Sequence, residues 1–411
     1  MRIEDVSARV VYNGRGDPAI EVEVIVRREV GRAISPSGAS RGKHEAVSFA
    51  RGGPERTARM VAKYKAKLIG EDPSDLSAMT STLKKIDGTP NYRNIGGSSA
   101  YSISVAAADA ASKVKGVPLC RLIDAKCNTL PVPLGNVIGG GQHASQKSPS
   151  IQEILVAPVG ARSLREAIEL NLAVHAEVGE RLAKTETYPV GKGDEGAWSP
   201  GITDEAALEL AKSVVEDVSD HRGRQIKVGM DVAAGSLYDE KTGRYYYRAS
   251  RKSLSREDQL SFISELVDKF GLFYVEDPLQ EEDFRGFASL TSSLEGTLVV
   301  GDDLYTTNTR RLTEGVRRES TNGVIMKVNQ VGTLGEATQF SKRARESGQT
   351  VIASHRSGDN ESAQLADLAI GMHCALIKTG IVGGERTAKL NELLRIGESL
   401  GLRLGKVTSR P

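Results

Sequence analysis

Residues 272–278, LFYVEDP, run apolar side chains straight into a carboxylate at Glu276, and the same arrangement returns in TLVVGDD (297–303), GVIMKVN (323–329), TVIASHRS (350–357) and ALIKTG (375–380). Each run is short, rich in β-branched or aromatic residues and bounded by glycine, proline or charge, as in a strand buried on both faces. QIKVGMDVA (225–233), which reaches Asp231, is an earlier member of the set. Glu276, Asp302, Lys327, His355 and Lys378 follow one another at intervals of 26, 25, 28 and 23 residues. That is the length of one strand, one helix and two loops. Between the runs, Arg256 to Phe270 and Gly335 to Ser347 carry apolar residues at helical spacing. The repeat predicts an α/β chain closed into a (β/α)8-type barrel, with functional side chains at the C-terminal ends of the strands, where these polar residues fall.

Upstream the pattern changes. AIEVEVIVRR (19–28) alternates Ile20, Val22, Val24 and Val26, a half-buried strand, and ARVVYNGRG (8–16) reads as its partner. Ser37 to Gly42 is too rich in small residues for an element and is a candidate lid. Helical patterns occupy about 54 to 125, and two prolines in CNTLPVP (127–133) end them. A chain of 411 residues exceeds the usual limit of one core. The expected division is a smaller domain over 1–125, carrying the lid loop, and a barrel over 126–411 that holds the active site.

Composition narrows the partners. Lys and Arg total 55 against 53 Asp and Glu, so no net field draws the chain to nucleic acid or membrane, and 5% aromatic residues give little stacking surface. The charged N-terminal segment contains no apolar targeting core, and no run is long enough to span a bilayer. The three cysteines, Cys120, Cys127 and Cys374, lack metal-ligand spacing and suit a reducing cytoplasm.

Asp231, Glu276 and Asp302 end consecutive expected strands, which gathers three carboxylates at one mouth. Such a set repels itself unless a cation lies within it, and oxygen ligands without His or Cys favour Mg2+. Separate surface ion pairs are the plainer alternative. Lys327, at the end of VIMK, has a buried stem; desolvation would lower its pKa and make it a general base or a Schiff-base lysine. Imine chemistry needs no divalent ion, so the carboxylates favour the base. Lys378 is suited to holding a substrate carboxylate. His355, Arg356 and Ser357 supply an imidazole, a planar guanidinium, a hydroxyl and backbone donors, a phosphate cradle near the last strands.

Other residues are weaker signals alone. Glu195 lies in the turn GDEGAWSP (193–200), Gln152 and Glu153 open the run SIQEILVAP (150–158), and His143 follows three glycines, 139–141, that would let backbone approach an anion. His44, His175, His221 and His373 read as ordinary surface or packed residues, and Trp198 carries no assignment.

The segments PSGAS, DGTPN, LPVP, GDEG, DVA, VEDP, GDDL, KVNQVGT, SHRSG, IKTG and AKLNELLRI occur in this order from end to end of the chain. In order and spacing they resemble the enolase family. The resemblance implies an α/β fold with a small N-terminal α+β domain capping an enolase-type barrel of ββαα(βα)6 order with one early strand antiparallel. It implies a lyase, phosphopyruvate hydratase, dehydrating 2-phosphoglycerate to phosphoenolpyruvate in glycolysis with two Mg2+ ions. Asp231, Glu276 and Asp302 match the ligands of one ion, and Ser40 matches a lid residue at the second. Lys327 matches the base that takes the C2 proton, and Glu195 the acid that assists loss of the C3 hydroxyl. Glu153 matches the residue assisting Glu195, and His143 a lid histidine. Lys378, His355, Arg356, Ser357 and Gln152 match substrate-binding positions. A cytoplasmic homodimer or higher homo-oligomer is implied, with Arg15 and Glu21 in the pairing segment.

The chain departs from the family pattern at Arg41, Gly139, Ala197, Gly235-Ser236-Leu237 and the DNES run at 359–362, all near the mouth loops. Such changes leave two other readings: a related lyase acting on another 2-hydroxy carboxylate, and a non-catalytic binding protein on the same fold.

Overall fold

The computed structural model describes residues 1–39, 42–144, 147–185 and 189–407. Ser40 therefore lies outside the described residues.

The alternation at residues 20–26 forms the strand Pro18–Val26, with Ile20, Val22, Val24 and Val26 fully buried. It is the centre of an antiparallel sheet with Asp5–Tyr12 and Glu29–Ile34. Successive strand side chains point to opposite faces, so Glu21 and Glu23 emerge on the other side, paired with Arg9 and Arg32. The alanine- and serine-rich helix Gly97–Lys115 packs on this sheet, joined by the helices Gly53–Tyr64, Leu76–Asp87 and Leu119–Ile123. Its small side chains let the two backbones touch: a Cβ on Gly31 would stand 2.0 Å from the Ala106 carbonyl oxygen.

Eight strands then close a barrel. Val132–Gly139 and Glu153–Ala157 come first, followed by the helices Leu164–Leu182 and Asp204–Arg222. Six strand-helix units complete the circle, from the strand Lys227–Asp231 to the helix Gly384–Leu400. The expected helices form at Arg256–Phe270 and Leu334–Glu346. Leu376–Lys378 closes the barrel by pairing parallel with Val132–Gly139. Glu153–Ala157 runs antiparallel to both neighbours. Its first residue therefore reaches the mouth where other strands present their last, and Glu153 stands opposite Asp231.

The N-terminal unit is tied to that mouth. Ser37 N–H donates to the Gly358 carbonyl at 2.9 Å and Gly358 N–H returns the bond at 2.8 Å. Ala39 N–H donates to Ser357 Oγ at 2.7 Å. Cys120, Cys127 and Cys374 are buried free thiols. Among the described residues no helix is long and apolar enough to cross a membrane.

Candidate active site

Lys378 ends its strand inside a ring of acids. Its Nζ lies 2.8 Å from Asp231 Oδ2, 2.9 Å from Glu276 Oε2 and 3.2 Å from Glu153 Oε1, and all four side chains are at most 5% exposed. Burial acts to lower the Lys378 pKa, but Asp231, Glu153 and Glu276 outweigh it and hold the ammonium charged. Burial, reinforced by Asp231, pushes Glu276 up to about 7, and Tyr274 Oη donates to its Oε2 at 2.6 Å. Gln152 Nε2 reaches toward Asp231 Oδ2 at 3.5 Å.

The third carboxylate, Asp302, faces Lys327, which ion-pairs with its Oδ2, while Gln330 Nε2 donates to Oδ1 at 2.9 Å. Desolvation was the reason to expect a lowered Lys327 pKa. Burial does pull it down, but Asp302 overcomes that pull, and Lys327 sits above the ordinary lysine value. The three carboxylates are thus paired with two lysines, Asp231 and Glu276 with Lys378 and Asp302 with Lys327, while Asp231 and Asp302 both act on Glu276.

Glu195 occupies the opposite flank. Gly196, at φ 77, makes its turn, and a Cβ there would stand 2.2 Å from the Val382 carbonyl oxygen. Asn136 Nδ2 donates to Glu195 Oε2 at 3.1 Å. His143 Nδ1 lies 3.6 Å from Oε1, and His355 Nε2 lies 3.3 Å from Oε2. Glu153 completes the group, its Oε1 3.7 Å from His143 Nδ1. The two acids are driven apart: burial and the charge of Glu195 push Glu153 well above the usual carboxylate range. Burial would raise Glu195 too, but His355 and His143 hold it low. A carboxyl held high and one held low therefore stand side by side. Burial brings His355 down to about 4 against the pull of Glu195.

Arg356 is held by Glu45 and by Asn329, whose Oδ1 accepts from Nη1 at 3.3 Å. Ser357 Oγ accepts from Ala39 in the lid. Gly38, His143, Gln152, Glu153, Glu195, Asp231, Asp302, Lys327, His355, Arg356, Ser357 and Lys378 all line one cavity. Glu276 lies behind Lys378 rather than in the lining.

Several features escaped the sequence reading. Asp277 and Asp303 also line the cavity. Asp277, at φ 40, accepts the N–H groups of Asp302 and Asp303 at 3.0 and 2.7 Å and so shapes the loop after the next strand. The extra acid in each of VEDP and GDDL was the available signal. Trp198 stacks on His175 with ring centroids 5.4 Å apart, and His175 Nε2 lies 2.9 Å from the Gly196 carbonyl oxygen, buttressing the Glu195 turn. The glycine triplet is a correction. Gly139, Gly140 and Gly141 spend their N–H groups on the carbonyls of Trp198, Gln152 and Pro149, so they offer no amide cradle to an anion. A Cβ on Gly140 would stand 2.3 Å from the Ile151 carbonyl oxygen, which accounts for a glycine there.

The acids fit a hard divalent cation. Glu276 Oε1 and Glu153 Oε2 are buried without a hydrogen-bond partner. Carboxylate oxygens of Asp277, Asp302 and Asp303 lie within 4.8 Å of one another. The site thus has acidic groups that could hold a metal, all of them oxygen donors.

Comparison with known proteins bears on the same residues. The family profile for the enolase C-terminal TIM barrel domain matches residues 127–406, and that for the enolase N-terminal domain matches 3–123. A protein named enolase from Methanosphaera stadtmanae is 42% identical over 402 residues, 97% of each chain. One from Archaeoglobus fulgidus is 43% identical over 399 residues, 97% of this chain and 98% of the relative. One from Pyrobaculum aerophilum is 42% identical over 410 residues, 98% and 97% of the two. With both domains matched and relatives this similar along their whole length, the chain belongs to the enolase family.

Proposed function

We propose that this chain is a phosphopyruvate hydratase that converts 2-phosphoglycerate to phosphoenolpyruvate with two Mg2+ ions. The observation that carries the reading is the cavity itself, which is lined together by Lys327, paired with Asp302, by Glu195, beside His143 and His355, and by Lys378.

The chemistry requires removal of a very weakly acidic proton beside a carboxylate and departure of a hydroxyl from the next carbon. Lys327 takes the C2 proton once it has released its own, a release that would be favoured if a cation on Asp302 drew that carboxylate's charge away from the ammonium, and Glu195 hands a proton to the leaving C3 hydroxyl. Glu195, held low by its histidines, needs a proton source, and Glu153, held well above the usual carboxylate range beside it, is the neighbour suited to supply one. Lys378 is permanently charged by its ring of acids and pairs with the substrate carboxylate as charge accumulates there. Arg356 and Ser357 receive the phosphate, with His355, Gln152 and His143 around it. Asp231, Glu276 and Asp302 would hold magnesium, with Ser40, outside the described residues, as the further ligand the family resemblance implies; the ion would supply charge stabilisation for the deprotonated acid and offset the carboxylates now balanced by two lysines.

The chain is further read as a cytoplasmic homodimer that pairs through the segment of Arg15 and Glu21. Arg15 Nη1 lies 3.2 Å from Asp194 Oδ2, so that segment already touches the Glu195 turn. The test is direct: purified protein with Mg2+ should generate phosphoenolpyruvate absorbance from 2-phosphoglycerate. No turnover across Mg2+ concentrations and temperatures would refute the assignment.

A further inference from the structure

One buried cation outside the roles above reaches the site from behind. Arg386, in the first turn of the helix Gly384–Leu400, is 1% exposed. Its guanidinium threads between two mouth loops. Nη1 donates to His355 Nδ1 at 2.8 Å and to the Arg356 carbonyl at 2.7 Å. Nη2 donates to the Asp194 carbonyl at 2.8 Å and to the Ser357 carbonyl at 2.7 Å. Gly380 leaves it room, since a Cβ there would stand 3.1 Å from Arg386 Cγ and 2.8 Å from the Glu195 carbonyl oxygen.

Guanidinium is a donor only. His355 Nδ1 must therefore accept, which places the imidazole proton on Nε2, the nitrogen 3.3 Å from Glu195 Oε2. A second proton on Nδ1 would face the cation. The same fork joins the backbone ahead of Glu195 to the backbone of the phosphate cradle, so the acid and the anion site share one rigid support.

We propose that Arg386 is a positioning residue: it locks His355 as the neutral Nε2–H tautomer with that nitrogen 3.3 Å from Glu195 Oε2, and fixes the Asp194–Glu195 turn against the His355–Ser357 segment. This rests on the reading of Glu195 as the acid. Removing a residue that orients a ligand-contacting imidazole typically costs 10- to 100-fold in function.

The test combines spectroscopy with kinetics on the full chain. Protein labelled with 15N-histidine, with His355 assigned through H355Q, should show His355 as a neutral Nε2–H tautomer at pH 7. R386M should yield a mixture of tautomers and a kcat for 2-phosphoglycerate lowered roughly 10- to 100-fold, with a smaller change in KM. An unchanged His355 spectrum in folded R386M would overturn the proposal. So would an Nδ1–H tautomer or an imidazolium in the wild-type protein, a measurement that decides the matter even if R386M fails to fold. A wild-type protein with the expected tautomer but no turnover would refute the substrate assignment instead, leaving the Arg386 lock to the spectra.

Discussion

Arg356 and Glu45 meet face to face, Nη1 3.0 Å from Oε2 and Nη2 3.0 Å from Oε1, although 311 residues separate them in the chain. Glu45 Oε1 also accepts the Gly42 N–H at 3.1 Å. The carboxylate that neutralises the proposed phosphate-binding arginine thus belongs to the segment carrying the lid. Replacing Glu45 with Gln removes the carboxylate paired with this buried guanidinium and should destabilise the protein by roughly 3 kcal/mol. An anion that binds Arg356 would then recover more in the variant than in the wild type. Thermal unfolding with and without inorganic phosphate should show the larger upward shift for E45Q, and equal shifts would contradict the coupling.

Lys378 touches three buried acids, and with Glu153 held well above the usual carboxylate range the charge it balances is that of Asp231 and Glu276. Lys378→Met strands that charge, and in EDTA the variant should lose about 3 to 5 kcal/mol of stability. Saturating Mg2+ should restore much of the loss, because the same oxygens then face a cation again. Urea unfolding in the two buffers is the measurement. A variant as stable as wild type in EDTA would mean that the acids are not charged together. Turnover should fall by about a hundredfold or more even with metal present.

How much of this could be read from sequence depends on whether the information is local. Strand runs such as LFYVEDP announce themselves because burial on both faces excludes polar residues along their length, and strand ends follow directly. Glu153 was legible for a different reason: it starts an apolar run, and only the antiparallel direction of that strand brings a start to the mouth. Glu45, Arg386 and Asp277 were not legible, since each acts through a partner supplied by another loop. The glycines at 139–141 misled because glycine signals close approach without saying what approaches. The direction of the Lys327 shift was missed because it depends on which carboxylate the ammonium meets.

Lys327 and Glu195 line one cavity with separate partners, Asp302 for the lysine and His143 with His355 for the acid, so their two proton transfers should be separable. Lys327→Ala should abolish dehydration, a loss of at least about 100-fold, and should also abolish exchange of the C2 hydrogen with solvent. Glu195→Gln should block loss of the hydroxyl yet leave the base able to remove and return the C2 proton. Proton NMR of 2-phosphoglycerate in D2O with Mg2+ should therefore show the C2 signal disappearing with E195Q and persisting with K327A. Persistence with both variants would place Glu195 in the deprotonation step and overturn the division of roles.

Asp367 offers a test of pH dependence away from the chemistry. It is 9% exposed and its Oδ1 accepts the Cys120 N–H at 3.0 Å, joining the helix Leu365–Gly371 to the short helix Leu119–Ile123. Burial, opposed by that hydrogen bond and aided by Glu392, raises its pKa from 3.8 to about 6. The folded chain thus keeps a proton that the unfolded chain has released, and stability from this group is complete below about pH 4 and is lost as pH rises through 6. The loss is on the order of 2 kcal/mol. Asp367→Asn keeps the acceptor for Cys120 and cannot ionise. Its stability relative to wild type, from urea unfolding, should therefore be higher at pH 7.5 than at pH 4.5 by about that amount. A difference that does not change with pH would show that Asp367 ionises in the folded protein as readily as in the unfolded chain.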